Sequence, residues 1–157
     1  MNEFTAKKLG EVLAFAEVGI ETFEKGRDAL TSVLGADMLE SLIEESEMHA
    51  SSIRKIATDE GTLDIVQKKL DGTGAKLRAM RDLYVGDQWD NPTELLEWSG
   101  FFEGAATVHW ALVKGAAEAK EDKDLITLAE TGLHRHHRML EKASELLHLV
   151  GKKKGTA

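Results

Sequence analysis

Apolar residues recur along this chain at the three- and four-residue spacing of helices buried on one side. Leu9, Val12, Leu13, Ala16, Ile20 and Phe23 share one face of a segment running from about Phe4 to Lys25. Gly26 either stops that helix or lets it run on through Ala29, Leu30 and Val33 to Gly35. The second segment opens at Asp37, with Glu40 as its capping-box partner. It turns Leu39, Leu42, Ile43, Ile53 and Ile56 inward and ends near Gly61. The third has the sharpest start, with Asn91 as N-cap, Pro92 in the first helical position and Glu94 completing the box. It reaches about Ala119 and is apolar almost all round, which predicts burial on several sides. After the charged turn Lys120 to Asp124, a fourth helix reaches Val150 with Gly151 as its stop. Residues 152–157 are then expected as a basic, flexible tail.

Between the second and third helices lie Asp59 to Asp90. Leu63, Val66 and Leu70, then Leu77, Met80 and Leu83, keep a helical rhythm that Asp71-Gly-Thr-Gly74 is expected to break. Such a stretch can carry the chain the length of a bundle, about 40 Å for a 27-residue helix. The pattern therefore predicts one all-α domain over 1–151, a four-helix bundle of two helical hairpins joined by a long, partly helical crossover.

Composition agrees and narrows the function classes. A single proline and alanine- and leucine-rich runs suit helices. The net charge of -8 argues against nucleic acid as a partner, because phosphate binding needs a basic surface. The one basic cluster, Lys152 to Lys154, lies in the expected tail. The absence of cysteine excludes disulfides and thiolate metal ligands. No apolar run approaches a membrane span and no export pattern opens the chain, so a cytoplasmic location is expected.

Two carboxylates interrupt the greasiest runs. Glu17 is the only polar side chain between Val12 and Ile20, and Glu103 lies within Gly100 to Val113. Each is followed by a Glu and a His four residues apart, Glu45/His49 and Glu130/His134. The intervals nearly match, at 28 residues from Glu17 to Glu45 and 27 from Glu103 to Glu130. Residues four apart share a helix face, so both pairs can turn inward. Burying carboxylates costs several kcal/mol unless they are paired, protonated or metal-bound. Carboxylates and imidazoles together suit iron, manganese or zinc.

With Phe15-Ala-Glu17, Glu44-Glu-Ser-Glu-Met-His-Ala50, Phe102-Glu103-Gly104 and Glu130 through His137, the chain resembles the ferritin-like superfamily, in particular its rubrerythrin-like di-metal carboxylate branch. The resemblance covers all four helices. It implies a dinuclear centre, most plausibly iron with manganese or zinc as alternatives, with Glu17 and Glu103 in the single-Glu roles. Glu45/His49 and Glu130/His134 would take the paired roles. Both pairs are one residue longer than the family's Glu-x-x-His, and Ser46 and Thr131 stand where its Glu would be. Counting axial depth from the turns places His137 to Glu141 level with Glu103, and His109 level with His134. If helix one runs on to Leu34, Glu21 matches His49 better than Glu17 matches Glu45. Glu21, His109 and His137 are thus substitute ligands.

Three functions follow. The first is oxidation of ferrous iron, or reduction of oxygen or peroxide, at the metal pair. The second is a metal-free bundle acting as a dimeric structural or stress-related interaction module, favoured by the all-round apolar third helix. On either reading a homodimer or higher homo-oligomer is expected, with no nucleic-acid or membrane partner. The third is a haem or small-molecule pocket formed by His109, the tryptophans and the methionines. Glu17 and Glu103 also suit ordinary ion pairs, His109 a hydrogen-bonded core position, and Trp98, Phe101, Phe102 and Trp110 core or subunit interface.

Overall fold

In the computed structural model, which describes Met1–Ala157, the chain forms six helices and no strand. α1 spans Glu3–Lys25, capped by the Asn2 side chain, which accepts from the Thr5 N–H. Of the two courses open at Gly26, the structure takes near-continuation. The Gly26 N–H bonds Thr22 O, Leu30 N–H bonds Gly26 O, and α2 (Arg27–Leu34) follows directly. Glycine is needed here for space, since a Cβ would lie 2.8 Å from Leu95 Cδ1. The chain reverses at Gly35, whose φ of 82° is left-handed and suits glycine.

α3 (Ala36–Asp59) corrects the expected start. Gly35 itself is the N-cap, with no side-chain cap. Asp37 lies inside the first turn, where its charge suits the helix dipole, and Glu40 binds Arg27 at 2.9 Å instead of closing a capping box.

The expected break at Asp71-Gly-Thr-Gly74 does not occur. α4 runs unbroken over Leu63–Val85. Val66, Leu70, Gly74, Leu77, Arg81 and Val85 are buried at helical spacing, so one continuous face packs on α1. Each glycine costs about 1 kcal/mol in a helix interior, which burial of that face outweighs. Leu63, Met80 and Leu83, which share that helical rhythm, are exposed. α1 and α4 meet closely at Gly10, where a Cβ would lie 2.6 Å from Val66 O.

α5 (Pro92–Glu118) starts at the expected Asn91, whose Oδ1 accepts from Thr93 N–H at 3.1 Å behind Pro92, but the Asn91 N–H bonds Gln88 O, so Glu94 closes no capping box. The Asp122 side chain caps α6. α6 covers Lys123–Gly155, so Gly151 does not stop it and Lys152 to Lys154 are helical. Three cations in a last turn complement the negative end of the helix dipole, which favours this extension over a frayed tail.

α1 lies at the centre, touching α3, α4 and α5. α5 and α6 form an antiparallel hairpin, and α6 also touches α3. α4 packs mainly on α1 and also reaches α3 and α5, so its Val66, Leu70, Leu77 and Val85 join one core with the other helices. Phe15, Phe102 and Trp98 form an aromatic chain through that core, with centroids 5.1 and 6.0 Å apart. No helix is long and apolar enough to cross a membrane.

The α5–α6 contact is tightest at Gly132, where a Cβ would lie 2.4 Å from the Trp110 ring. Gly132→Ala is expected to lower stability by about 1–3 kcal/mol through overpacking, despite alanine's better helix propensity. Gly151→Ala, with open space around it, should raise stability by up to about 1 kcal/mol. Urea unfolding of both variants checks the pair. A Gly132→Ala protein as stable as the parent would mean that the two helices are not held this close.

Candidate functional site

Glu103 is carried to the middle of the bundle by α5 and is wholly buried. α6 supplies what neutralises it. Arg135, 1% exposed, donates from Nη1 to both Glu103 oxygens at 2.8 and 2.9 Å. His136 Nδ1 contacts Glu103 Oε2, and since a carboxylate only accepts, Nδ1 carries the hydrogen. Consecutive residues of one helix reach a single carboxylate because it lies between their directions. The Arg135 guanidinium also lies over the Phe23 ring, 5.4 Å from its centroid, while its Nε has no partner. Burial alone would push the Glu103 carboxyl up, but Arg135 and His136 outweigh it and hold Glu103 below the ordinary carboxylate range. Burial lowers His136, with Glu103 pulling back only in part. The centre is therefore a carboxylate, a guanidinium and a neutral imidazole.

The other expected ligands lie elsewhere. Glu17 faces α3, where Arg54 binds it. This follows from α2 continuing α1, which brings Glu17 level with Arg54 and moves it away from Glu45. Glu45 accepts from Arg138 Nη2 at 2.6 Å, and Glu130 pairs with Lys114 at 3.3 Å. His49 is 1% exposed, against the Trp110 ring with centroids 5.4 Å apart. Thr131 gives its hydroxyl hydrogen to Leu128 O at 2.7 Å, so its oxygen accepts from His49 Nε2–H at 3.1 Å. Burial, then the neighbouring His136 imidazole and the Arg135 guanidinium, push His49 down to about 4, with Glu45 opposing.

Glu45, His49, Glu130 and His134 do line one cleft of about 480 Å³ between α3 and α6, together with Arg138 and Thr131. Glu17 and Glu103 are not part of it. Of the substitutes, Glu21 is held by Arg78 at 2.7 and 2.9 Å, and His109 donates from Nδ1 to Ala105 O at 2.7 Å. His137 is exposed.

The residues present do not fit a dinuclear centre as arranged. A guanidinium occupies the cation's place beside Glu103, and Glu17, Glu45 and Glu130 each have an arginine or lysine partner. His49 spends Nε2 on Thr131. Nowhere do three or more His, Asp or Glu side chains lie close enough to hold a metal ion.

Sequence reasoning missed Arg135 and His136 as the partners of Glu103, and Glu11. Glu11 is buried beside Lys8 at 2.9 Å and Lys69 at 3.1 Å, with His109 Nε2 at 3.7 Å. The available signal for the first was depth, which pointed to the His137 level of α6, close to His136.

Removing one partner of a buried pair leaves the other charge unmatched. Glu103→Ala is expected to cost about 3–5 kcal/mol, and Glu103→Leu with Arg135→Met much less than the sum of the two single changes. A double-mutant cycle from denaturant unfolding measures this coupling, and additive costs would refute it.

Three groups share one pH sign. His49, His136 and Glu103 all bind protons more weakly folded than unfolded, so their stabilisation is full above about pH 6.5. It is lost as pH falls, through the unfolded histidine value toward about 4 for His49 and through the carboxylate range for Glu103. His49 alone accounts for roughly 3 kcal/mol over this window. Melting curves from pH 7.5 to 4 should therefore drop steeply, with a shallower slope in His49→Leu. An unchanged slope would show that His49 is not held neutral.

No family model matches this chain, and no curated protein or solved structure matches it, so its function rests on the residues themselves.

Proposed function

We propose that this protein is a metal-independent helical bundle of ferritin-like arrangement that works by association, as a structural or interaction module. One observation carries the reading. Arg135 neutralises Glu103 at the centre of the bundle, where the family resemblance would put a metal. Two divalent ions beside a buried guanidinium would leave excess positive charge with one carboxylate to balance it, which a low-dielectric core does not tolerate. The contacts of α1 with α3 and α5, and of α6 with both, support the ferritin-like arrangement. α4 corresponds to its crossover.

A second reading keeps a metal, and what favours it is the cleft between α3 and α6, where four of the six expected ligands meet. There His134 and Glu130 on α6 face Glu45 and His49 on α3. Iron, manganese or zinc would suit this donor set. Binding would require Glu45 to leave Arg138 and Glu130 to leave Lys114.

Melting temperature and metal content of the purified protein separate the two. Chelator, or ferrous iron, manganese or zinc in excess under anaerobic conditions, is expected to leave the melting temperature unchanged. A site saturated at a hundred times its Kd would instead add about 2.7 kcal/mol, roughly 5–10 °C for a domain of this size. Such a rise, abolished by His134→Ala, would overturn the metal-free reading in favour of the cleft.

A further inference from the structure

α5 has a second apolar face that the rest of the chain leaves largely exposed. Phe101, Val108 and Leu112 are 63%, 58% and 44% exposed on it. Gly104 lies between Phe101 and Val108, and Gly115 three residues beyond Leu112, each with open space where a Cβ would be. In helical projection these five fall within about 40° of Val108 on either side. From Phe101 to Ala119 the face carries no charge over about 27 Å, in a chain whose net charge is -8.

The face is complementary to itself. Phe101 and Gly115 lie seven residues either side of Val108, and Gly104 and Leu112 lie four either side. In an antiparallel pairing of two α5 helices, Phe101 of each copy meets Gly115 of the other. Val108 meets itself, while Leu112 and Gly104 share a level on opposite flanks of the seam. Phe101 thus enters the space that Gly115 leaves at each end, and one two-fold axis makes both contacts.

The stripe alone is narrower than a standard interface of about 800 Å² per partner. It is continuous with the exposed end of α4, where Tyr84 packs on Phe101 with centroids 5.3 Å apart. Met80 and Leu83, 57% and 87% exposed, extend that end, and the two-fold axis uses it twice.

We propose that two copies of this chain associate through the outer faces of α5, antiparallel about an axis at Val108. This deepens the reading of the protein as an association module by naming the partner as a second copy. It also tells why the third helical segment is apolar all round: one side faces α1 and α6, the other its own copy.

Sedimentation or light scattering over a range of concentrations should give the mass of two chains. Val108→Asp should weaken association at least about thirtyfold. Its circular dichroism and melting temperature at low concentration should match those of the monomeric parent, because Val108 is exposed in one chain. The natural chain has no cysteine, so Val108→Cys should form an intermolecular disulfide on mild oxidation. Met48→Cys, similarly exposed on α3, should not. A monomer at all concentrations, or a dimer that cross-links through position 48 and not 108, overturns the proposal. A monomer whose melting is indifferent to metal would overturn this pairing alone, whereas a metal-dependent dimer would overturn the metal-free reading alone.

Discussion

Everything inside the bundle is arranged around one ionised carboxylate that has no water. Glu103 lies at the meeting point of α5, α6 and α1, and its charge persists there only because Arg135 and His136 are brought to it. That requirement fixes the rotation of α6, since two consecutive side chains must both face α5. It also fixes the register of α5 against α6, because Arg135 can meet Glu103 at one level only. Gly132, one turn before His136, then lies against Trp110, and the close approach there follows from the same register. A hydrophobic core would tolerate slippage between helices, whereas a buried ion pair does not, since one step out of register strands a charge.

The same arrangement decides which chemistry the site supports. A carboxylate in a dry core needs a counter-charge, and a metal or a guanidinium can supply it. Here the guanidinium is covalently part of the chain, buried against Phe23 and bonded to both carboxylate oxygens. Its unpartnered Nε costs about 1–3 kcal/mol, which the structure carries for the sake of the charge balance. Around it, His49 and His136 are both held neutral, so the centre gains no further positive charge near pH 7. Each feature limits the net charge of the interior.

Helix positions were legible because the 3.6-residue period is strong in α1, α3 and α6, and because α5 is one long apolar run with a clear start. Asn91-Pro92 marked the start of α5 by a local hydrogen-bonding requirement, which sequence displays directly. The errors came where tertiary burial overrides local preference. Gly72 and Gly74 read as a break, yet α4 passes through them because its buried face continues from Leu70 to Leu77. Gly151 read as a stop, yet the helix dipole and three lysines carry α6 onward. Glu103 was legible as an anomaly, but its partner was not. Arg135 lies within a run of histidines and arginines that looks like a solvated ridge, and no local rule distinguishes the one buried cation among them. Axial depth came closest, placing the His137 level of α6 beside Glu103, whereas for Glu17 depth depended on whether Gly26 ended the first helix. With α2 continuing α1, the turn moves to Gly35 and every level on α3 shifts, which takes Glu17 away from Glu45 and gives it to Arg54.

α5 shows how one helix can be asked to do two things. Its inner side holds Glu103, Trp110 and Phe102, which demand rigid packing and charge matching. Its outer side, with Phe101, Val108 and Leu112 between glycines, demands nothing of the chain that carries it. Selection for a stable monomer would favour polar residues there, since exposed aromatic and aliphatic side chains of this size invite aggregation. Glycines within a helix add a further cost of about 1 kcal/mol each, and a Cβ at Gly104 or Gly115 would meet nothing in its own chain, so no close packing there requires them. A face that is both apolar and rich in glycine is thus unfavourable twice over in isolation. Both costs are recovered together only if a second surface covers the apolar side chains and enters the space above the glycines. The spacing about Val108 makes a second α5 a surface of that shape.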